Sequence, residues 1–182
     1  MVKYYWIFGG IAGLSSILLE YLLFGGHIGF ESTGGVLLGK YAALLVCVVF
    51  AIILIRKLNN GISLMRCMFS GLMIGLIASS VSTAGYTAMT YPDGAFIQEA
   101  KSYTIQTWKD RNANDPEELK KEAEVVQRIE DNYSVRTHAF FELTGYVVGA
   151  LIFSLFTAVF VAKRSSLTGN YGNEHQQSGN SN

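Results

Sequence analysis

Residues 64–91 read LMRCMFSGLMIGLIASSVSTAGYTAMTY, and this stretch decides the fold of the chain. After Arg66 it carries no charged side chain, and much of it consists of glycine, alanine, serine and threonine. A soluble domain seldom needs so long an uncharged helix with so little side-chain bulk, whereas a membrane helix in close contact with other helices does. The stretch therefore predicts a transmembrane helix at the packing centre of a small membrane protein.

Three further apolar stretches accompany it, at residues 4–24, 35–55 and 140–162. Each is close to the roughly 20 residues that an α-helix needs to cross the hydrocarbon core. The first has no convincing small-residue cleavage site, so we interpret it as a true span rather than a cleaved signal peptide. Together the four stretches predict an all-α protein, a four-helix transmembrane bundle whose third span is residues 64–91.

The composition agrees with a membrane protein and argues against several other classes. Hydrophobic residues make up 50% of the chain and the formal net charge is zero. The expected partner is therefore the lipid bilayer, and nothing indicates nucleic-acid binding. Cys47 and Cys67 show neither CxxC spacing nor a neighbouring histidine cluster, which predicts small packing residues rather than a disulfide or a metal site.

Residues 92–137 form the one sizeable hydrophilic region, and we expect a helical insertion between the third and fourth spans. Residues 95–108 predict its first helix. Asp115 followed by Pro116 has the pattern of a helix start, because aspartate caps free N–H groups and proline fits the first turn. We expect this second helix to continue to about Asn132.

The second helix of the insertion has one narrow apolar face and is otherwise charged. The apolar stripe comprises Leu119, Val126, Ile129 and Tyr133, and the expected ion pairs are Glu117 with Lys121 and Glu124 with Arg128. Two interpretations remain open. The insertion is either a solvated helical hairpin that caps the bundle or a docking surface for another membrane or periplasmic protein.

Basic residues near the ends of the spans set the expected orientation. They are Lys3, the cluster Arg56, Lys57 and Arg66, and the pair Lys163 and Arg164, whereas the turn at residues 25–34 has none. By the positive-inside rule this places both termini and the 56–66 turn in the cytoplasm. We therefore expect a multi-pass protein of the bacterial inner membrane, with the insertion on the outer side.

The C-terminal tail differs in composition from everything before it. Residues 165–182 are rich in serine, asparagine, glycine and glutamine and poor in apolar side chains. Such a segment cannot bury enough surface to fold. We expect a disordered cytoplasmic tail after a transmembrane domain of residues 1–164.

Each predicted span contains two glycines four residues apart. The pairs are Gly9 and Gly13, Gly35 and Gly39, Gly71 and Gly75, and Gly145 and Gly149. Glycines at this spacing share one helix face and let two backbones approach closely. From the depths of the pairs we predict that the first span packs on the third and the second on the fourth, each through its glycines.

Three ionisable residues, Glu20, Lys40 and Glu142, fall inside the predicted spans at similar depth. Intramembrane charges are costly and usually face a partner or a water-filled space. A pair of Glu20 with Lys40 is expected because a short turn makes the first two spans neighbours. The residues are either structural ion pairs, or side chains that reach to the headgroups, or an outward-facing polar pocket for an ion, proton or small ligand. Tyr86, with Tyr21, Tyr41 and Tyr146, lines such a pocket or belongs to an aromatic belt.

Hydroxyl groups mark the outer half of the third span. They belong to Ser79, Ser82, Thr83, Tyr86, Thr87 and Thr90. Several fall on one helix face, where they serve either as hydrogen-bonding glue between helices or as part of a polar permeation path.

The histidines give no evidence of catalysis. His27 and His175 lie in the predicted turn and tail, and His138 lies four residues before Glu142, a spacing typical of a hydrogen bond at a helix end. No metal-ligand, phosphate-binding, dinucleotide-binding or hydrolase motif is present. We therefore expect no cofactor, no metal and no enzymatic activity.

The order of these features resembles a known family. The chain has GGVLLGKYAALLVCVVFAIILI at residues 34–55, Gly71 and Gly75 in the third span, Phe141-Glu142-Leu-Thr-Gly145 in the fourth, and the closing pair Lys163-Arg164. These residues resemble the bacterial membrane family catalogued as domain of unknown function 4199, common in Bacteroidota. One departure is Leu64-Met65-Arg66, where the family tends to have an aromatic residue followed by lysine. The resemblance implies a four-span inner-membrane protein and no known activity, and it matches Glu142 to an acidic position of the family.

Two functional hypotheses follow from the sequence. The first is a non-enzymatic structural or accessory subunit that acts through protein partners, using the insertion or the surface of the bundle. The alternative is a small transporter or channel component with an outward-facing polar pocket at Glu20, Lys40 and Glu142.

Overall fold

The computed structural model describes residues 2–24, 33–90 and 94–168, and these contain seven α-helices and no strand. The helices are α1 (Val2–Phe24), α2 (Thr33–Leu58), α3 (Leu64–Thr90), α4 (Ala95–Arg111), α5 (Pro116–Leu119), α6 (Glu122–Asn132) and α7 (Val135–Thr168). Four of them, α1, α2, α3 and α7, are long and apolar enough to cross a membrane. The expected all-α bundle with four spans and a helical insertion is therefore confirmed.

Helix α3 occupies the centre of the bundle, as its small residues predict. It packs against α1 on one side and against α7 on the other, while α2 contacts α1 and α7. Ile74 and Ala78 are completely buried in this core, together with Leu44 and Ile52 of α2. Because lipid offers no hydrophobic drive for association, close backbone approach around α3 is what holds the spans together.

The turn between α2 and α3 follows directly from its sequence. Asn60 and Gly61 both have positive φ, at 52° and 153°. Asparagine and glycine are the residues that enter this region of backbone space at least cost, so α2 ends at Leu58 and the chain reverses within a few residues.

The predicted pairing of the glycines is wrong in part. Gly9 and Gly13 do face α3, but they lie against Ile77 and Val81 rather than against Gly71 and Gly75. Ile77 and Val81 fill the space that the absent side chains of Gly9 and Gly13 leave on the surface of α1.

The other glycine pairs also meet different partners. Ser154 and Ala150 of α7 pack against Gly71 and Gly75, so these two glycines form the contact between the third and fourth spans. Gly145 and Gly149 pack on Tyr41 and Leu44 of α2, Gly39 faces Leu19 of α1, and no atom lies near the position of a Cβ at Gly35. Contact between the second and fourth spans thus uses the glycines of α7 alone.

The insertion forms a helical structure beside the bundle, but with one more break than expected. Asp115 accepts hydrogen bonds from the backbone N–H groups of Glu117 (3.0 Å) and Glu118 (3.2 Å), as its capping role predicts. The predicted single helix from Asp115 to Asn132 is wrong, because the chain turns at Lys120 and Lys121 between α5 and α6. At the break, the predicted ion pair of Glu117 with Lys121 is replaced by Glu117 with Lys120 and Glu118 with Lys121.

The apolar stripe of the insertion is split between two directions. Ile129 and Val125 line a groove that they share with Tyr103 and Trp108 of α4, whereas Val126 lies beside Lys120 and Glu122 on the other side. The stripe therefore presents no continuous outward face.

Two of the expected loop segments fall partly outside the described residues. Most of the predicted turn at residues 25–34 lies outside the described residues, and so does the tail from residue 169. Helix α7 continues to Thr168, past the predicted end of the fourth span.

Replacing Gly75 by alanine tests the close contact between α3 and α7. A Cβ at this position would lie 2.8 Å from the Tyr146 carbonyl oxygen and 3.1 Å from the Ala150 Cβ. Because these neighbours belong largely to backbone, Gly75→Ala is expected to destabilise the protein by about 1–3 kcal/mol, measured as unfolding in detergent. Gly10→Ala is the matched control, since nothing lies within 4 Å there, and equal stability of the two variants would contradict the packing described.

Candidate functional site

A buried lysine joins three of the spanning helices. The ammonium of Lys40 on α2 donates hydrogen bonds to the carboxylates of Glu20 on α1 and Glu142 on α7, the latter at 2.7 Å. The side chains of Lys40, Glu20 and Glu142 are 9%, 4% and 11% exposed. The three residues that the sequence singled out by depth alone are thus brought into one cluster.

The level of this cluster follows from the positions of the residues in their helices. Lys40 and Glu142 each lie seven residues after the first residue of their helix, which corresponds to about 10 Å at 1.5 Å per residue. Glu20 lies four residues before the end of α1, or about 6 Å. The cluster is therefore inside the spans, one to two turns from the end of the bundle that carries the insertion.

Two serines connect the cluster to the central helix. Ser82 of α3 donates a hydrogen bond of 2.7 Å to Glu142 Oε2. Its oxygen lies 3.0 Å from that of Ser16 on α1. Because Ser82 has a single proton and uses it on Glu142, Ser16 is the donor of the second bond. With these serines all four spans contribute to the cluster.

A histidine stands beside the acids and is held by aromatic stacking. The ring of His138 on α7 is parallel to the ring of Tyr86, with an interplanar angle of 5° and centroids 3.7 Å apart. Tyr86 in turn donates a hydrogen bond of 2.8 Å to the backbone carbonyl of Tyr133, just before α7 begins. This fixes the histidine ring with its Nε2 atom 3.6 Å from Glu20 Oε1.

Two buried polar atoms of the cluster have no hydrogen-bond partner among the described residues. They are Glu20 Oε2 and His138 Nε2. Ligand atoms of Glu20, His138 and Glu142 all lie within 4.8 Å of one another. Unmatched polar atoms are expensive away from water, so the two unpaired atoms make this cluster the candidate functional site of the bundle.

The charges of the cluster do not balance. Two carboxylates face one ammonium, so the cluster carries one surplus negative charge when both acids are ionised and His138 is neutral. Burying even a matched ion pair costs several kcal/mol per ion before the mutual attraction is counted. A bundle built only for stability gains little from such a site, which makes the surplus carboxylate a candidate functional feature.

An apolar groove of about 400 Å³ reaches the cluster from the side of the bundle. It runs between α2 and α7, and Lys40 and Glu142 are its charged lining residues. The other walls are apolar or weakly polar, among them Leu37, Tyr41 and Phe141. Leu37 and Phe141 are largely exposed on the outer surface of the helices, so the groove opens on the flank of the bundle.

The remaining predicted site residues are distributed differently. Tyr86 is buried against His138, Tyr41 lines the groove, and Tyr21 is half-exposed. The hydroxyl row divides: Ser82 serves the cluster, whereas Ser79 and Thr87 bond to carbonyls of their own helix.

Sequence reasoning missed His138 and Ser16 as members of the cluster. Four residues separate His138 from Glu142, and that spacing was the available signal, but a local hydrogen bond was expected instead. Ser16 had its own signal, since it precedes Glu20 by four residues and shares its helix face. His27 and His175 lie outside the described residues.

Comparison with known proteins gives one match. A family model described as "Protein of unknown function (DUF4199)" matches residues 7–163. No curated protein and no solved structure matches the chain. The matched residues include most of the first span, the other three spans, the insertion and the whole charged cluster. The chain therefore belongs to the DUF4199 family.

Proposed function

We propose that this multi-pass membrane protein is a small cation transporter or channel component, and that its role is non-enzymatic. The observation that carries the proposal is the surplus carboxylate in the buried cluster of Glu20, Lys40 and Glu142. A cation that enters the site neutralises this charge, and Glu20 Oε2 offers it an acceptor atom that no described group occupies.

Further hydroxyls are buried in the core of the bundle. Ser82, Ser79 and Ser70 are buried along α3, and Ser154 lies beside them on α7. Ser70 precedes Ser82 by twelve residues, about 18 Å along a helix. The fully buried Ile74 and Ala78 lie between Ser70 and Ser79, so these hydroxyls are separate polar groups in an apolar core, and the proposal rests on the charged cluster.

Flux measurements in reconstituted liposomes test the proposal. Purified protein is expected to speed the entry of at least one inorganic cation above the rate in empty liposomes, with Na⁺, K⁺, Mg²⁺ and Zn²⁺ tested in turn. Glu142→Gln removes the surplus charge and is expected to lower the rate at least about tenfold, because the favourable site for the cation is lost.

Glu99→Gln is the matched control, because this carboxylate is exposed on α4. It is expected to transport as the unaltered protein does. The proposal fails if folded, reconstituted protein moves none of these cations, or if Glu142→Gln and Glu99→Gln behave alike.

A second candidate is the structural or accessory role through a protein partner. It is favoured by a groove of about 400 Å³ between α4 and α6. Its lining residues are Tyr103, Thr104, Thr107, Trp108, Arg111, Val125 and Ile129. The aromatic and aliphatic walls fit an apolar segment of another membrane or periplasmic protein.

The basic flanks of the spans support an inner-membrane location with both termini in the cytoplasm and this groove outside.

One labelling experiment tests both the partner and the orientation. Single cysteines are placed at Thr107 in the groove, at Ser102 on the exposed face of α4 and at Ser63 in the turn before α3, and a membrane-impermeant maleimide is added to spheroplasts. Ser102→Cys is expected to react, because it faces the outside, and Ser63→Cys to react only after lysis. Thr107→Cys is expected to react at least about tenfold more slowly in native membranes than in purified protein, because a partner covers it.

The outcomes separate the two claims. Labelling of Ser63→Cys but not Ser102→Cys in intact spheroplasts means that the orientation is inverted. Equal reactivity of Thr107→Cys in membranes and in purified protein, relative to Ser102→Cys, removes the case for a bound partner. Cys47 and Cys67 are buried in the bundle, and unaltered protein gives their background.

A further inference from the structure

We propose that Glu20, His138 and Glu142 form a binding site for a divalent transition-metal ion of the Zn²⁺ type, with Lys40 as a built-in competitor. The inference rests on the proposed cation role and names the class of cation. It uses one feature that cation transport alone does not require, which is a histidine nitrogen directed at the two carboxylates.

The geometry of the three residues is close to that of a zinc site. Zinc binds histidine nitrogen and carboxylate oxygen at about 2.0–2.2 Å, which places tetrahedral ligand atoms about 3.3 Å apart. His138 Nε2 is 3.6 Å from Glu20 Oε1, the carboxylate oxygen that Lys40 holds, and one ligand atom from each of the three residues lies within 4.8 Å of the other two. Small side-chain movements therefore bring the atoms to coordination distance, with water or a further oxygen in the fourth position.

The atoms that zinc would bind are the ones left without partners. Glu20 has a side chain that is 4% exposed, and its Oε2 atom accepts no hydrogen bond from the described part of the chain. His138 Nε2 is in the same situation. Binding at these two atoms removes two unsatisfied polar groups and breaks no existing bond, which lowers the cost of forming the site.

Glu142 completes the site through a switch of hydroxyl partners. Its Oε2 atom accepts a bond from Ser82, and Ser82 lies 3.0 Å from the oxygen of Ser16. If Ser82 turns its proton to Ser16, Glu142 Oε2 becomes available and both hydroxyls remain paired, because either serine can be the donor. Ser82 can thus exchange one hydrogen-bond acceptor, Glu142, for another, Ser16, and this frees a carboxylate oxygen for the metal.

The histidine is positioned as a ligand before any metal arrives. Its ring is stacked on Tyr86, which the Tyr133 carbonyl holds in place. A ring fixed in this manner loses little conformational freedom on coordination, and a group that orients a metal-bound histidine typically adds to affinity. A histidine with two carboxylates favours zinc over Mg²⁺ or Ca²⁺, which prefer oxygen ligands alone.

Lys40 sets the strength of binding through its charge. The ammonium bonds to both carboxylates, so it repels an entering cation and competes for the same oxygens. A divalent ion changes the formal charge of the cluster from one surplus negative to one surplus positive charge while Lys40 stays charged. Without the ammonium the two carboxylates and the ion balance. Removal of Lys40 is therefore expected to strengthen metal binding, the opposite of what loss of a purely structural residue would do.

Titration of the purified full-length protein with ZnCl₂ tests the proposal. After removal of any affinity tag, calorimetry is expected to show one Zn²⁺ bound per chain, and Co²⁺ is expected to give the visible absorption of a low-symmetry site with nitrogen and oxygen ligands. Mg²⁺ is expected to bind at least about tenfold more weakly. Absence of Zn²⁺ binding at millimolar concentration overturns the proposal.

Three variants identify the ligands and the competitor. Glu142→Gln and His138→Phe are each expected to weaken Zn²⁺ binding at least about tenfold, and phenylalanine keeps the stacking on Tyr86. Lys40→Met is expected to tighten binding at least about tenfold. Its thermal midpoint in detergent is expected to rise further on zinc addition than that of the unaltered protein, because a ligand of the folded state stabilises it.

The control is His175→Ala, which removes a histidine of the C-terminal tail and is expected to leave affinity unchanged. If Glu142→Gln and His138→Phe bind as tightly as the unaltered protein, the ion lies elsewhere and the site is wrong. Weaker binding by folded Lys40→Met overturns the role of Lys40. Flux of Na⁺ or K⁺ without zinc binding would support the proposed function and contradict the zinc site. Zinc binding without flux of any cation would support the zinc site and contradict the proposed function.

Discussion

The rest of the structure depends on one buried ammonium group shared by two carboxylates. Lys40 of α2 reaches Glu20 of α1 and Glu142 of α7 at the same level of the bundle. Charges at this depth are costly unless they are paired, so the rotation of each of the three helices about its axis is constrained by the position of one side chain. Ser82 extends the constraint to the central helix through its bond to Glu142.

Close packing around α3 makes this meeting of charges possible. Ile77 and Val81 of α3 pack against the glycines of α1, and Ala150 and its neighbours on α7 pack against the glycines of α3. Both contacts bring backbones together, and the helices that they join to α3 carry Glu20 and Glu142. The small side chains of α3 therefore help to form the polar cluster as well as the bundle, because a bulkier α3 would hold the two glutamates apart.

Much of the architecture could be predicted from the sequence, because span length and turn residues are local signals. The contact of Glu20 with Lys40 also followed from the short connection between two neighbouring spans. The face of each helix that meets its neighbour could not be predicted: Gly71 and Gly75 lie against α7, although the spacing of the glycines fitted α1 equally well. The membership of His138 in the cluster likewise depends on the stacking with Tyr86, a contact across helices that no local pattern specifies. The break between α5 and α6 was missed because the residues around Lys120 are good helix formers.

The most direct test of this account is a double-mutant cycle on Lys40 and Glu142, read as the free energy of unfolding in mixed micelles with chelator present. Lys40→Met alone leaves two uncompensated carboxylates and is expected to cost about 3–5 kcal/mol. Adding Glu142→Gln removes one of them, so the account predicts that the double variant is more stable than Lys40→Met, with a coupling energy of about 1–3 kcal/mol. Simple additivity of the two costs would contradict the claim that a shared, charge-unbalanced cluster organises the bundle.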